Sequence, residues 1–157
     1  MASSPAPRLL AAWHHLHSLP GGRWLFSRLL GWMVPYTGSI GARVESLVPG
    51  QVTVSLREHR AVRNHLRSIH AIALVNLAEV ASGLAMLTAL PPNARGIVTG
   101  LRISYAKKAR GRLLAESRVV PPAVGPQAVE AEVTATIRDA AGDEVAVATV
   151  TWRLETL

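Results

Sequence analysis

The chain contains no cysteine. Disulfides, thiolate metal sites and a cysteine nucleophile are therefore excluded. Aromatic residues make up only 4% of the 157 residues. That leaves little for stacking on single-stranded nucleic acid, and no zinc-finger, basic-zipper or RNA-recognition pattern occurs. No nucleic-acid partner is expected. G-x-S-x-G, P-loop and H-E-x-x-H motifs are also missing, so serine-hydrolase, NTPase and zincin chemistries have no support. The longest uncharged apolar stretch, 80–94, contains Pro91, Pro92 and Asn93. It is too short and too broken to span a bilayer. Acidic residues are absent from the first 44 positions; Glu45 is the first.

What is present is a hydrophobic content of 49% and a formal net charge of +7. That is enough apolar material for one domain with a real core. The basic balance suits an anionic ligand, and a phosphate-bearing small molecule fits better than nucleic acid. A cysteine-free chain also fits a reducing compartment, and a cytoplasmic location is expected.

Residues 1–38 read as a helical extension. Trp13, Trp24, Phe26 and Trp32 alternate there with Arg8, Arg23 and Arg28, and Pro20-Gly21-Gly22 divides the segment. Two short helices packed on the domain are the favoured reading. A transit peptide or peripheral membrane contact is the less favoured one. His14, His15 and His17 have no acidic neighbours and read as a solvated helix face, so no metal site is expected.

Residues 39–157 read as one α+β domain. Strand patterns cover 40–48 and 51–57 around the Pro49-Gly50 turn. Arg57, Arg60, Arg63 and Arg67 lead into a nearly continuous apolar helix over 69–90. Four more strands follow. In the first, Ile97, Thr99, Leu101, Ile103 and Tyr105 are expected to share a face. The clearest strand alternates Val129, Ala131, Val133, Ala135 and Ile137 with polar residues. In the last, Ala146, Ala148, Val150, Trp152 and Leu154 form the apolar face. An antiparallel sheet then covers one side of the helix. The helix is apolar nearly all round, so a second subunit is expected on its other side.

The helix carries one charge, Glu79. A carboxylate in an apolar helix is costly to keep ionised, and such groups gather at sites of acid–base chemistry. The structural alternative is a Glu buried for interface specificity and paired with an Arg from the partner subunit. Asn76 and Ser82 lie three residues to either side and extend a polar stripe.

The pattern Asn-x5-His-x8-Glu, here Asn64, His70 and Glu79, resembles the active-site motif of hotdog-fold acyl-CoA thioesterases of the PaaI and hydroxybenzoyl-CoA type. The stretch Ile103-Ser-Tyr-Ala-Lys-Lys-Ala-Arg-Gly111 resembles that family's third strand and following turn. Pro35-Tyr36-Thr37-Gly38 resembles a poorly characterised branch of it. One departure stands out: the family has Gly-Gly after the His, whereas Ala71-Ile72 follow here.

The resemblance implies a hotdog fold, an acyl-CoA thioester substrate and no cofactor beyond the coenzyme A of the substrate. It implies Glu79 as general base or nucleophile, with Asn64, His70, the Ala71 N–H and Ser82 around the reacting carbonyl. Glu79 stands nine residues after His70. On one helix that is roughly 13 Å and half a turn out of phase. Two antiparallel helices would unite the groups, which predicts a homodimer with shared sites, with a dimer of dimers as the next level of assembly. Lys107, Lys108, Arg110, Arg63 and Arg67 are the candidate contacts for coenzyme A phosphates. Two rivals follow. One is a hotdog protein that binds acyl-CoA without turnover, which Ala71-Ile72 favours. The other is a basic protein of nucleic-acid or membrane surfaces.

Overall fold

Pro49-Gly50 closes the first hairpin because Gly50 takes φ 78°, a left-handed conformation that glycine adopts without strain. A Cβ there would also lie 2.6 Å from the Val119 carbonyl oxygen. In the computed structural model, which describes residues 5–157, this turn joins β1 (Arg43–Val48) to β2 (Gln51–Arg57). The helix α4 (Ala71–Ala89) follows, then β3 (Ala94–Tyr105), β4 (Arg112–Arg118), β5 (Val129–Arg138) and β6 (Glu144–Thr156). The six strands form one antiparallel sheet in the order β1-β2-β4-β5-β6-β3.

The alternating residues explain the sheet's inner face. Val52, Val54, Leu56, Leu113, Ala115, Val133, Ala135, Ile137, Ala148, Val150 and Leu154 are buried, as are Leu74, Leu77, Ala78 and Ala81 of α4. Each large apolar side chain removed from water contributes about 1.5–3 kcal/mol. By length and composition α4 is apolar enough to cross a membrane, but 72% of it is buried inside the fold. It is a core helix.

Part of the cover on α4 comes from the N-terminal segment of the same chain. Helices α1 (Ala6–Leu16) and α3 (Pro35–Gly38) pack on α4, while α2 (Gly22–Met33) packs on β1. Trp13 and Phe26 meet edge to face at 5.1 Å inside the core. The Val44 N–H donates to Ser27 Oγ at 2.9 Å, so α2 also shields the β1 edge. The Asn76 amide donates to the Tyr36 carbonyl at 3.0 Å and ties α3 to α4. One stripe of α4 is left less covered: Ile72 is exposed and Val75 and Glu79 are half-buried.

At the opposite end of the sheet, β3 pairs with β6 alone and leaves a 12-residue edge open among the described residues. An open edge of this length invites another strand. The register of β3 against β6 slips between Val98 and Gly100, so Thr99 is an inserted residue. Such a bulge reverses the alternation. Ile97 is therefore exposed while Leu101 and Ile103 pack against the core, and the five residues expected to share one face do not.

Candidate active site

The loop into α4 is built around Asn64. Its Oδ1 accepts the Leu66 N–H at 2.9 Å, and the Ser68 N–H and hydroxyl at 3.2 Å each. Arg67 takes φ 55° in this loop. A left-handed non-glycine costs about 1–2 kcal/mol, which the Asn64 bonds offset. Asn64 Nδ2 has no partner among the described residues.

His70 caps α4: its Nδ1 accepts the Ile72 N–H at 3.1 Å. With Nδ1 an acceptor, the neutral ring carries its proton on Nε2, which has no partner among the described residues. The Ala71 N–H is unpartnered among the described residues, as first-turn amides are. The helix start thus presents three donors: Asn64 Nδ2, His70 Nε2 and the Ala71 N–H. Tyr105, not singled out by sequence reasoning, fixes this end from β3. Its hydroxyl donates to the Ala71 carbonyl at 3.2 Å. Desolvation pushes its phenol above the ordinary 10.0, so it stays a donor at neutral pH.

The β3–β4 loop docks on the same end. The Ile69 N–H donates to the Ala109 carbonyl at 2.8 Å, and the Gly111 N–H donates to Glu58 Oε2 at 2.7 Å. Lys108 and Arg110 therefore lie at the start of α4, where Arg67 is, and all three are exposed. Lys107 and Arg63 do not belong with them. Lys107 Nζ is held by Asp139 at 2.6 Å and Asp143 at 2.8 Å, in the turn between β5 and β6. Those hydrogen bonds raise its pKa. Arg63 donates to Glu58 at 2.7 Å. The Gly111 N–H, and after it Arg63, hold the Glu58 carboxyl below its usual range. Two of the five expected phosphate contacts are thus already paired within the chain.

Glu79 sits apart, along the helix. Its carboxylate has no hydrogen bond or ion pair among the described residues. Desolvation alone pushes it above its ordinary value near 4.5. Ser82 does not orient it. The Ser82 hydroxyl donates at 3.1 Å to the Glu79 backbone carbonyl, an ordinary bond within a helix. Nor does Asn76, whose amide is spent on Tyr36.

Trp152 is the neighbour that sequence reasoning missed. Its indole Nε1–H is buried and has no partner among the described residues. A Trp on a buried strand face brings a donor that wants one, and that was the available signal. Among the described residues no group of three His, Asp or Glu side chains could hold a metal ion.

Residues 22–154 match the family described as "Domain of unknown function (DUF4442)". Over 122 residues the chain is 32% identical to the Halobacterium salinarum protein named "Putative esterase VNG_1336C", covering 73% of this chain and 81% of that protein. The solved structural-genomics protein APC5556 superposes with a TM-score of 0.83 at 27% identity, covering 97% of this chain and all of that one. A thioesterase family protein from Silicibacter pomeroyi superposes with a TM-score of 0.69 at 23% identity, covering 83% of this chain and 96% of that one. The sheet-and-helix arrangement is that of hotdog proteins, PaaI among them. The chain belongs to the DUF4442 family and has the hotdog fold.

Proposed function

We propose that the protein hydrolyses an acyl-CoA or related acyl-carrier thioester at sites shared between two subunits. The observation that carries this is Glu79: a half-buried carboxylate of raised pKa with no partner among the described residues. A Glu serving the fold of its own chain would have a cation of that chain beside it. This one stands on the least covered stripe of α4, toward the place a second subunit would take. The esterase name of the Halobacterium relative and the thioesterase fold support hydrolysis.

The chemistry follows from the two ends. In an antiparallel dimer, Glu79 of one chain faces the α4 start of the other. The thioester carbonyl accepts from the partner's Ala71 N–H, with His70 Nε2 and Asn64 Nδ2 as further donors. Negative charge on that oxygen is favoured at a helix N-terminus. Glu79 takes a proton from water as the water oxygen attacks the carbonyl carbon. The carbon–sulfur bond breaks, the proton passes to the sulfur, and acid and free thiol leave. The same carboxylate acting as nucleophile would form an anhydride that water then opens. Lys108, Arg110 and Arg67 are the cations left for phosphates of the carrier, and no cofactor is required.

The test is a screen of acyl-CoA chain lengths with wild type and Glu79→Gln. The protein has no cysteine, so a thiol reagent reads released coenzyme A without background. Hydrolysis should fall by about 10²-fold or more in the variant. If both bind acyl-CoA and neither turns it over, the binding-protein reading, which Ala71-Ile72 favours, replaces this one.

A further inference from the structure

Helix α2 has an inner and an outer side. Phe26 and Leu30 face the core, while Trp24, Leu25, Leu29, Trp32 and Met33 are exposed. Leu25, Leu29 and Trp32 lie within about 60° of one another on one side of the helix, with Trp24 and Met33 at the two edges of that side. Trp32 is 81% exposed and Trp24 58%. Single exposed apolar residues are ordinary, but a contiguous patch bordered by charge marks an interaction surface.

A groove of about 1000 Å³ adjoins this stripe. Trp24, Arg28 and Trp32 form one wall, and Arg43, Arg57 and Arg112 lie on the strand wall. The groove holds a single carboxylate, Glu45. Arg112 reaches it at 3.0 Å, and Arg23 and Arg43 at 3.8 Å each. Burial alone would push the Glu45 carboxyl up; the Ser55 hydroxyl and the Arg43 and Arg112 charges outweigh that and hold it low. One ionised carboxylate thus faces a ring of arginines. Arg28 lies 6.0 Å over the Trp24 ring, and Arg57 has no ion pair among the described residues. No acidic residue precedes Glu45.

We propose that the outer side of α2 and this groove form one docking surface for an anionic phospholipid membrane. Trp24, Leu25, Leu29, Trp32 and Met33 enter the boundary between headgroups and acyl chains. Arg28 and Arg57 meet lipid phosphates. Tryptophan favours that boundary, since its ring is apolar and its N–H polar. Guanidinium forks fit phosphate oxygens. An apolar patch alone would serve a second copy of the chain, but a surplus of arginine with so little acid selects an anionic surface. The sequence favoured simple packing of this segment. The structure satisfies that packing with Phe26 and leaves the other side open. This inference does not depend on the proposed hydrolysis.

The test uses the full chain with vesicles of phosphatidylcholine, alone or mixed with phosphatidylglycerol. The protein should sediment with the mixed vesicles, bind the neutral ones weakly, and release as salt rises. Tryptophan emission should shift to the blue on binding. That shift reports Trp24 and Trp32, because Trp13 and Trp152 are each only 4% exposed. Trp24→Ser with Trp32→Ser should weaken partitioning by at least about tenfold. Arg28→Glu with Arg57→Glu should weaken it by at least about fivefold per charge. Circular dichroism checks that both variants fold as wild type. Failure to bind mixed vesicles overturns the proposal, as does equal, salt-insensitive binding to neutral ones. Retained binding by either folded variant overturns it too. If the Trp variant instead dissociates an oligomer that never bound vesicles, the α2 face is a subunit interface.

Discussion

Glu79 and Trp152 both approach Gly83. A methyl group placed on Gly83 would lie 3.8 Å from Glu79 Oε1 and 3.6 Å from Trp152 Cζ2. The carboxylate without a partner and the tryptophan whose N–H lacks one thus flank the same turn of α4. Glycine at this position leaves a gap where a side chain would stand. Small residues along the helix permit close packing, and Gly83 does so beside the one ionisable group of α4.

Gly83→Ala follows directly from those distances. Both contacts are ordinary van der Waals separations, and alanine gains about 0.5–1 kcal/mol over glycine within a helix. Tm should rise in thermal melts. The added methyl also removes water from Glu79, so the pH at which activity half-develops should move upward. A lower Tm would mean that the ring and the carboxylate cannot accommodate a methyl.

Glu79 should also leave a mark on stability. Its pKa is raised in the folded chain, so the fold holds a proton that the unfolded chain has lost. That contribution is fully present below the ordinary value near 4.5 and is lost as pH rises through the folded value. Glu79→Gln has no proton to lose. The variant's Tm advantage over wild type should therefore grow from acid toward neutral pH. A difference independent of pH would show that the carboxylate has gained a partner.

The basic residues divide into two sets with opposite expectations. Lys108→Glu with Arg110→Glu should raise KM for acyl-CoA and leave kcat nearly unchanged, as loss of uniform binding does. Lys107→Ala should leave KM alone, because Asp139 and Asp143 already hold that amine. Steady-state kinetics on both variants checks the division. A KM effect confined to Lys107 would reverse it.

Asn76 ties the N-terminal segment to the central helix. Asn76→Ala should cost about 0.5–1.5 kcal/mol, the net worth of one hydrogen bond, since the Tyr36 carbonyl keeps the Ser39 N–H and hydroxyl. Chemical denaturation measures this. A large fall in kcat with stability unchanged would instead make Asn76 part of the chemistry.

Much of the fold was legible because burial in strands repeats every second residue. Val129 to Ile137 and the Pro49-Gly50 turn needed only local pattern. The bulge at Thr99 was not legible, since nothing in the composition of β3 announces an inserted residue, and it turns Ile97 away from Leu101 and Ile103. The spacing of Asn64, His70 and Glu79 could be read because all three belong to one helix and its leading loop. The pairing of Lys107 could not, because its acids lie more than thirty residues away, in a turn that only the folded sheet brings near. Ser82 shows the same limit at short range. A hydroxyl three residues from a carboxylate was open to either partner, and it bonds to the backbone.

The central claim is that Glu79 of one subunit works with Asn64, His70 and Ala71 of another. The direct measurement is complementation between two inactive variants. His70→Ala and Glu79→Gln are co-expressed with different tags, and the mixed dimer is isolated. One of its two sites then carries both native groups and the other carries neither. Such a dimer should recover about half the wild-type kcat, while each variant alone stays near background. A mixed dimer as inactive as its parents would contradict the shared site and return both groups to a single chain.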